Sequence, residues 1–447
     1  MIAYNIIKNN SSARVLMLEA RDICSGATGR NGGHTKAASY RTYLQHKEEL
    51  GKDEALRIAR LEYANIIETH GLAKELGIEC ENQVCNTVDI IYDTQTFEQG
   101  KKAISELVSD ATEGERRPWK MAAYRIYNRT DGVEQKFWVR GGNESKEVGK
   151  REDVEGAFEY LAGRIHAYRF TTGVLTHLVQ QGLHLRANTP VHEFRPAQTS
   201  TSTPEAPLWD VFTPHTTLQA HNVVLATNGY TPYLVSALQG LIVPLRGQIT
   251  AQKPPQMARH PSVLPRTYSF IYAAGYEYMI PRQLPNGGQH IVIGGGLGRL
   301  PDAGASEYGT VDDSAVNPEV SKYLRGTVAG YFGAPTTSAA EGGEAAYEIV
   351  KEWTGIMGAT ADGRPFVGEV PGKKGMWLCA GFNGHGMVLC VKAAEALVGM
   401  MGQDGGVEGL EWFPKSFLVS EERIEKVRFS GRMDMKVPER GEGAVGH

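Results

Sequence analysis

The chain has 447 residues, enough for two or three domains, and its 41% hydrophobic and 22% charged content is ordinary for a globular protein. A net charge of -4 at pH 7 gives no reason to expect nucleic acid or an anionic membrane as a partner, and no apolar run approaches the ~20 residues a spanning helix needs. The five cysteines, Cys24, Cys80, Cys85, Cys379 and Cys390, are odd in number, irregularly spaced and without a CxxC pair. They argue against a disulfide framework or a metal site and for a reducing, cytoplasmic setting.

Residues 1–10 read as a helix with Ile2, Ala3, Ile6 and Ile7 on one face, broken by Asn9-Asn10-Ser11-Ser12. Arg14-Val15-Leu16-Met17-Leu18 reads as a buried strand closed by Glu19. Helix, break, strand and terminal acid form the second half of a dinucleotide-binding βαβ unit, where the acid accepts hydrogen bonds from ribose hydroxyls. The first half, a strand and a Gly-x-Gly-x-x-Gly turn, has no counterpart. Gly294-Gly295-Gly296-Leu297-Gly298 has the wrong spacing and leads to Pro301, and Gly26, Gly29, Gly32 and Gly33 follow the acid. A start codon placed too late accounts for this more simply than a lost cofactor; the expectation is that in-frame codons upstream restore the strand and turn.

Residues 24–34 are small, polar and glycine-rich, and suit either a solvated loop or amides lining a flat, phosphate-bearing ligand. Residues 48–76 predict one or two surface helices with a solvated charged face. Residues 86–92 predict a strand opening another domain, 93–117 a helical stretch, 140–151 a loop, 156–182 a helix and 183–191 a short strand. Two strands follow at 209–213 and 221–230, the latter ending in the polar turn Thr227-Asn228-Gly229. From residue 243, strands at 269–273, 277–280 and 290–293 with the turn Pro285-Asn286-Gly287-Gly288 predict an antiparallel sheet. A polar turn at Asp362, a buried strand at 376–380, the turn Gly381-Phe382-Asn383-Gly384-His385-Gly386-Met387 and a helical pattern close the ordered chain. Strand, glycine turn and helix bring backbone N–H groups close to a charged ligand. Residues 416–447 read as a surface tail.

These segments resemble the glycine oxidase, sarcosine oxidase and D-amino-acid oxidase family of FAD-dependent amine oxidoreductases. Residues 24–34 resemble its second flavin-contacting loop, 162–170 the re-entry into its FAD domain, and 381–387 the turn beside the flavin N1–C2=O edge. The resemblance implies an α/β (α+β) fold, with a Rossmann-like FAD-binding domain that lacks its first strand interleaved with an antiparallel-sheet substrate domain. Residues 1–86, 151–243 and 351–415 fall to the first, and 87–150 and 244–350 to the second. The implied cofactor contacts are Glu19, Ala20, Ser25, Thr28, Arg30, Asn31, Gly32, Gly33, Val191, Thr227, Asn228, Gly229, Asp362, Asn383, Gly384, His385, Gly386 and Met387. Tyr278, His385 and Arg282 are the catalytic candidates, with Tyr272 a further one; each sheet residue reads equally well as plain sheet surface.

The implied reaction is FAD-dependent oxidation of a C–N bond in a small-molecule amine or amino-acid substrate. Hydride passes to flavin N5, the imine is hydrolysed, and O2 or another acceptor takes the electrons. The flavin-linking cysteine of the sarcosine oxidase branch has no match in Trp353-Thr354-Gly355-Ile356-Met357, so non-covalent FAD is expected. The carboxylate-binding lysine that follows the branch's Gly-His-Gly turn is replaced by Met387-Val388. This shifts the expectation from sarcosine to an amine or a bulkier amino-acid derivative. The rival readings are a cofactor-free, non-catalytic paralogue or gene-model fragment, and a nicotinamide-linked enzyme, which a glycine-rich loop directly after the acid disfavours.

Overall fold

Most long strands of the chain join one mixed sheet. In the computed structural model, which describes residues 1–143, 152–198, 208–255, 261–333, 347–402 and 406–429, its order is Glu348–Ala359, Val243–Lys253, Gln289–Gly294, Gly275–Gln283, Thr267–Tyr272, Gln83–Ile91, Gly156–Arg164 and His34–Thr35, with Arg125–Asn128 also paired to Gly156–Arg164. The pairings are antiparallel except between Thr267–Tyr272 and Gln83–Ile91, which run parallel. This parallel seam is a departure from the all-antiparallel expectation. It arises because the two strands belong to separate passes of the chain and need no hairpin.

Residues 156–164 form a strand, not the first half of a helix. All nine residues are buried, and a fully buried run gives no period by which to tell strand from helix. Its partners decide the matter, and the helix starts only at Ala167–Gln180. Glu348–Ala359 likewise pairs along the length of Val243–Lys253. Both strands thus lie in the large sheet, although the boundaries expected at 151 and 351 would assign most of their residues to the other domain. Residues 144–151 of the expected loop lie outside the described residues.

The other sheets are short. Leu16–Leu18 pairs in parallel with His184–Arg186, and Val223–Leu225 pairs in parallel with Met376–Ala380, which also carries Phe366–Glu369 antiparallel. Leu16–Leu18 is an edge strand rather than a buried one: Leu16 is 44% exposed, and among the described residues nothing pairs with its other edge. The Ile2–Asn9 helix packs its apolar face into a cluster with Ala167–Gln180 and with Leu72 and Ala73, near the end of the helix Lys52–Glu75. Residues 416–429 are not a loose tail. Phe417 is buried, Leu418 bridges to Val367, and Arg423 pairs with Asp362; residues 430–447 lie outside the described residues. No helix among the described residues is long and apolar enough to cross a membrane.

The expected helical region at 48–76 is two helices, Tyr40–Leu50 and Lys52–Glu75, and the second is not a solvated charged face. It buries Glu54, Glu62, Asn65, Thr69 and His70. Glu62 accepts a hydrogen bond from Ser39 Oγ at 2.5 Å, and burial pushes its carboxyl from the ordinary 4.5 up to about 8. A raised folded-state value means that the folded protein holds this proton more tightly than the unfolded chain does. The stabilisation is complete below pH 4.5 and is lost as pH rises through about 8. Glu62→Gln, which cannot ionise, is expected to flatten the fall in Tm on the alkaline side while leaving the acid side unchanged. Thermal denaturation at stepped pH checks this, and an unaltered alkaline fall would refute the burial assignment.

Candidate active site

The turn after Met376–Ala380 is held from two sides. Gly381, Asn383 and Gly384 all take positive φ, at 81°, 51° and 75°, conformations that need glycine or a side chain able to brace itself. Asn383 Nδ2 donates to Thr360 Oγ1 at 2.9 Å and to Gly381 O at 2.7 Å, while its Oδ1 accepts from Thr360 N at 2.8 Å. Asn228 Oδ1 accepts from Gly381 N at 2.9 Å and Phe382 N at 3.3 Å. The whole Asn383 side chain and the Asn228 oxygen are thus engaged by the turn. The backbone amides of Gly384, Gly386 and Met387 donate to no described backbone or side-chain group.

The helix behind the turn, Cys390–Met401, does not offer its own first amides. Asn65, from the Lys52–Glu75 helix, accepts from Val391 N at 2.9 Å and Lys392 N at 3.1 Å, and donates to Met387 O at 3.1 Å. Negative charge brought to this place meets the turn amides, with the helix end already capped. His385 Nδ1 faces Asn383 O at 2.8 Å, so Nδ1 carries the proton and Nε2 is an acceptor. Burial lowers its pKa, and the charges of Arg41 and Lys36 lower it further against the pull of that hydrogen bond. The ring is neutral.

Residues 24–34 fold into a loop closed by their own polar groups. Asn31 Nδ2 donates to Ala27 O at 3.2 Å and Thr28 O at 2.8 Å, and its Oδ1 accepts from Gly33 N at 2.8 Å. Arg30 donates to Ser25 O at 2.6 Å, Asp313 O at 2.7 Å and Thr354 O at 3.0 Å. The Arg30 and Asn31 side chains therefore build the loop and are not free to reach a ligand. Ser25 Oγ is buried without a partner among the described residues. At the end of Leu16–Leu18, Glu19 Oε1 accepts from Arg21 N at 3.0 Å, and no described hydrogen bond takes its other oxygen. Ala20 is half-buried beside it and Thr28 is exposed.

One strand, Glu348–Ala359, gathers these pieces. Trp353 Nε1 donates to Arg30 O at 2.7 Å. Gly355 lies against Ala27 and Arg30, Gly229 against Met357 O, and Gly384 against Met357 Sδ. Gly358 O accepts from Asn383 N at 2.8 Å. Met387, Val15 and Met17 all pack against the same buried cluster around Ile7, Phe170 and Val174. Thr227 shares a hydroxyl hydrogen bond of 2.9 Å with Thr231. Val191 is partly buried beside the Trp209 and Leu225 cluster, with Tyr230 OH on its carbonyl at 3.5 Å. Asp362 departs from its expected cofactor role: Arg364 and Arg423 occupy both its oxygens, so its carboxylate holds the turn.

The large sheet covers this space. Tyr276, Tyr278, Ile280 and Arg282 alternate onto one face of Gly275–Gln283. Tyr278 OH has no described hydrogen-bond partner, and burial raises its pKa, so it is a neutral donor. Arg282 stands beyond the loop at Gly32. It donates to Ile165 O at 2.9 Å and Gly32 O at 3.5 Å and pairs with Glu81 at 3.2 Å. That placement makes it a brace for the loop rather than a group at the reacting atoms. Tyr272 points to the opposite face, where its OH donates to Glu277 at 2.8 Å beneath the Arg299 guanidinium.

Two bases close behind the glycine loop complete the site, and the sequence reading passed over both. Lys36 donates to Asp89 and Ser269, and Asp89 also accepts from Tyr40 and Tyr160 at 2.8 Å each. That carboxylate is fully engaged. Arg41 lies 4.2 Å over the Tyr276 ring, and no described carboxylate or hydrogen bond reaches its guanidinium. The pair Lys36–Asp89 cancels, so Arg41, which is exposed, is left as a surplus positive charge beside Tyr276 that is also felt at His385. The sequence signal was available as Lys36 and Arg41 directly after Gly33-His34, framed by Tyr40 and Tyr43.

The residues present fit FAD. The turn around a neutral His385 keeps amides without a described acceptor, a buried hydroxyl at Ser25 lacks a described partner, and Glu19, closing the Leu16–Leu18 strand, keeps one oxygen without a described hydrogen bond. Residues 1–400 match the family model described as FAD dependent oxidoreductase. No curated protein matches the chain. Among solved structures, glycine oxidase from Geobacillus kaustophilus is similar at 18% identity and a TM-score of 0.67, over 94% of this chain and 95% of that one. L-proline dehydrogenase from P. horikoshii is similar at 16% identity and a TM-score of 0.61, over 95% and 94%. Iminodiacetate oxidase from Chelativorans sp. BNC1 is similar at 16% identity and a TM-score of 0.61, over 92% and 95%. At these identities the likeness establishes the fold.

Proposed function

Because the chain belongs to the family of FAD-dependent oxidoreductases, we propose that it oxidises the C–N bond of an amino acid or a carboxylate-bearing amine held between Arg41 and Tyr278. FAD, when bound, supplies the acceptor for the hydride that leaves the carbon next to nitrogen. The chain's own residues do the rest. The amides of Gly384, Gly386 and Met387 meet negative charge developing at the cofactor edge. Glu19 would accept from the ribose of bound FAD, and the Ser25 hydroxyl would be available to donate to it. Arg41, stacked on Tyr276, receives the substrate carboxylate. Tyr278 OH and His385 Nε2 supply one donor and one acceptor that orient the amine. His385, neutral and with Nδ1–H already committed, does not act as an acid. A substrate that arrives as the free amine needs no dedicated base.

The same geometry favours non-covalent FAD. Trp353–Met357 offers no thiol, and burial pushes the Cys390 thiol up to about 12 and the Cys24 thiol, which also feels Glu19, up to about 11; neither is a ready nucleophile. O2 or another acceptor completes turnover, and the imine product hydrolyses in water. The observation that carries this reading is the Arg41 guanidinium, which lies over the Tyr276 ring with no carboxylate partner among the described residues and whose charge is felt at His385. The test is to mix the flavin-loaded protein, without oxygen, with amino acids and with their decarboxylated amines. Fast bleaching of the oxidised-flavin band by amino acids alone is expected, and equal bleaching by both sets would remove Arg41 from substrate recognition.

A further inference from the structure

The Gly32–Gly33 loop packs onto Ile249, Ile280 and Val292 and so divides the sheet face in two. Tyr278 lies on one side of that contact. On the other, four residues along the same strand, Arg282 opens onto a separate cleft of about 990 Å³. Its walls are the 78–83 segment, the start of the Ala167–Gln180 helix and the ends of the Gly275–Gln283 and Gln289–Gly294 strands.

Three arginines reach this cleft and share too little negative charge. Glu81, held at a φ of 54°, serves two of them, at 3.2 Å from Arg282 and 3.6 Å from Arg169. Arg164 is only 7% exposed, yet its partners are neutral. Gln83 Oε1 accepts from it at 2.9 and 2.6 Å and Pro281 O at 2.8 Å, and no described carboxylate pairs with it. Glu79 on the wall is exposed. A guanidinium withdrawn from water without a counter-charge is costly, and an anion brought beside it recovers that cost.

We propose that this cleft is a binding site for a small polyanion bearing two or more carboxylate or phosphate groups, held by Arg164, Arg169 and Arg282. The site is distinct from the substrate space, since the Gly32–Gly33 contact lies between them. Arg282 joins the two: its Nη1 donates to Ile165 O and Gly32 O, so an anion that draws Arg282 away from Glu81 also loads the flavin-side loop.

The test is calorimetric titration of the flavin-loaded protein with citrate and, separately, inorganic pyrophosphate, on the wild type, Arg169→Ala and Arg164→Gln. The wild type is expected to bind at least one of them, with citrate alone indicating a carboxylate ligand and pyrophosphate alone a phosphate one. Arg169→Ala, an exposed change, should weaken binding roughly tenfold or more, and Arg164→Gln should abolish it. Should Arg164→Gln fail to fold, Arg169→Ala decides the matter alone. No heat of binding with either anion, or equal affinity in the wild type and Arg169→Ala, overturns the proposal. Amine or amino-acid bleaching is read separately, so loss of this site leaves the assignment of the substrate space standing.

Discussion

Gly33→Ala is expected to lose its flavin and about 3–5 kcal/mol of stability. Two independent penalties meet at this position. Gly33 sits at a φ of 76°, where an L side chain is strained, and a methyl there would stand 1.6 Å from Ile165 O. That oxygen already receives Arg282 Nη1 at 2.9 Å, and Ile165 N donates back to Gly33 O at 2.9 Å. The methyl group cannot be accommodated by a rotamer change, because what it meets is backbone. The loop must move, and with it the Asn31 Oδ1 bond to Gly33 N and the shelf on which the cofactor rests. Gly71 is the control. It lies within the Lys52–Glu75 helix with open space around it, so Gly71→Ala should be neutral or stabilising by up to about 1 kcal/mol. Chemical denaturation and the flavin-to-protein ratio measure both. If Gly33→Ala keeps its flavin and unfolds with the wild type, the loop is not the shelf described.

Arg41→Met is expected to reduce kcat/KM for amino acids by roughly 30- to 1,000-fold, equivalent to about 2–4 kcal/mol. The guanidinium lies over Tyr276 with no counter-ion among the described residues, so methionine preserves much of the stem and removes the charge. The loss should fall mainly on KM, since carboxylate binding is shared by ground state and transition state. Decarboxylated amines should change by less than about threefold, because they never used this charge. Arg41→Lys should recover part of the loss, and the stacked planar contact explains why not all of it. Steady-state kinetics on paired amino-acid and amine substrates distinguish this from a structural role, which would depress both alike.

What could be read before the structure was what local backbone chemistry decides. The strand Met376–Ala380, its glycine turn and the Ile2–Asn9 helix follow from an apolar run, a cluster of glycines and a helical stripe. Gly156–Arg164 could not be read that way, because a strand buried on every residue has no polar face to betray its period. Direction was equally hidden. Asn31, Arg30, Asn383 and Asp362 occur in ligand-like loops, yet their side chains are engaged in holding those loops, as is the side-chain oxygen of Asn228. The groups left without described partners, and so proposed to meet the ligand, are turn amides, Ser25 Oγ and one oxygen of Glu19. Tyr272 and Tyr278 both sit in strands, and only the pairing of Gly275–Gln283 with Thr267–Tyr272 shows that they face opposite ways. Lys36 and Arg41 gain meaning only from Asp89, Tyr276 and His385, which the fold brings to them from far along the chain.

The central claim is that turns from 19–33, 228–229 and 383–387, gathered along Glu348–Ala359, hold one FAD without a covalent bond. Titrating FAD into flavin-free protein while following flavin fluorescence tests it most directly. Saturable quenching at a single stoichiometry, with all the flavin released on denaturation and binding lost in Gly33→Ala, is the predicted result. A protein that leaves added FAD fluorescence unchanged, or that keeps its flavin through denaturation, contradicts the account.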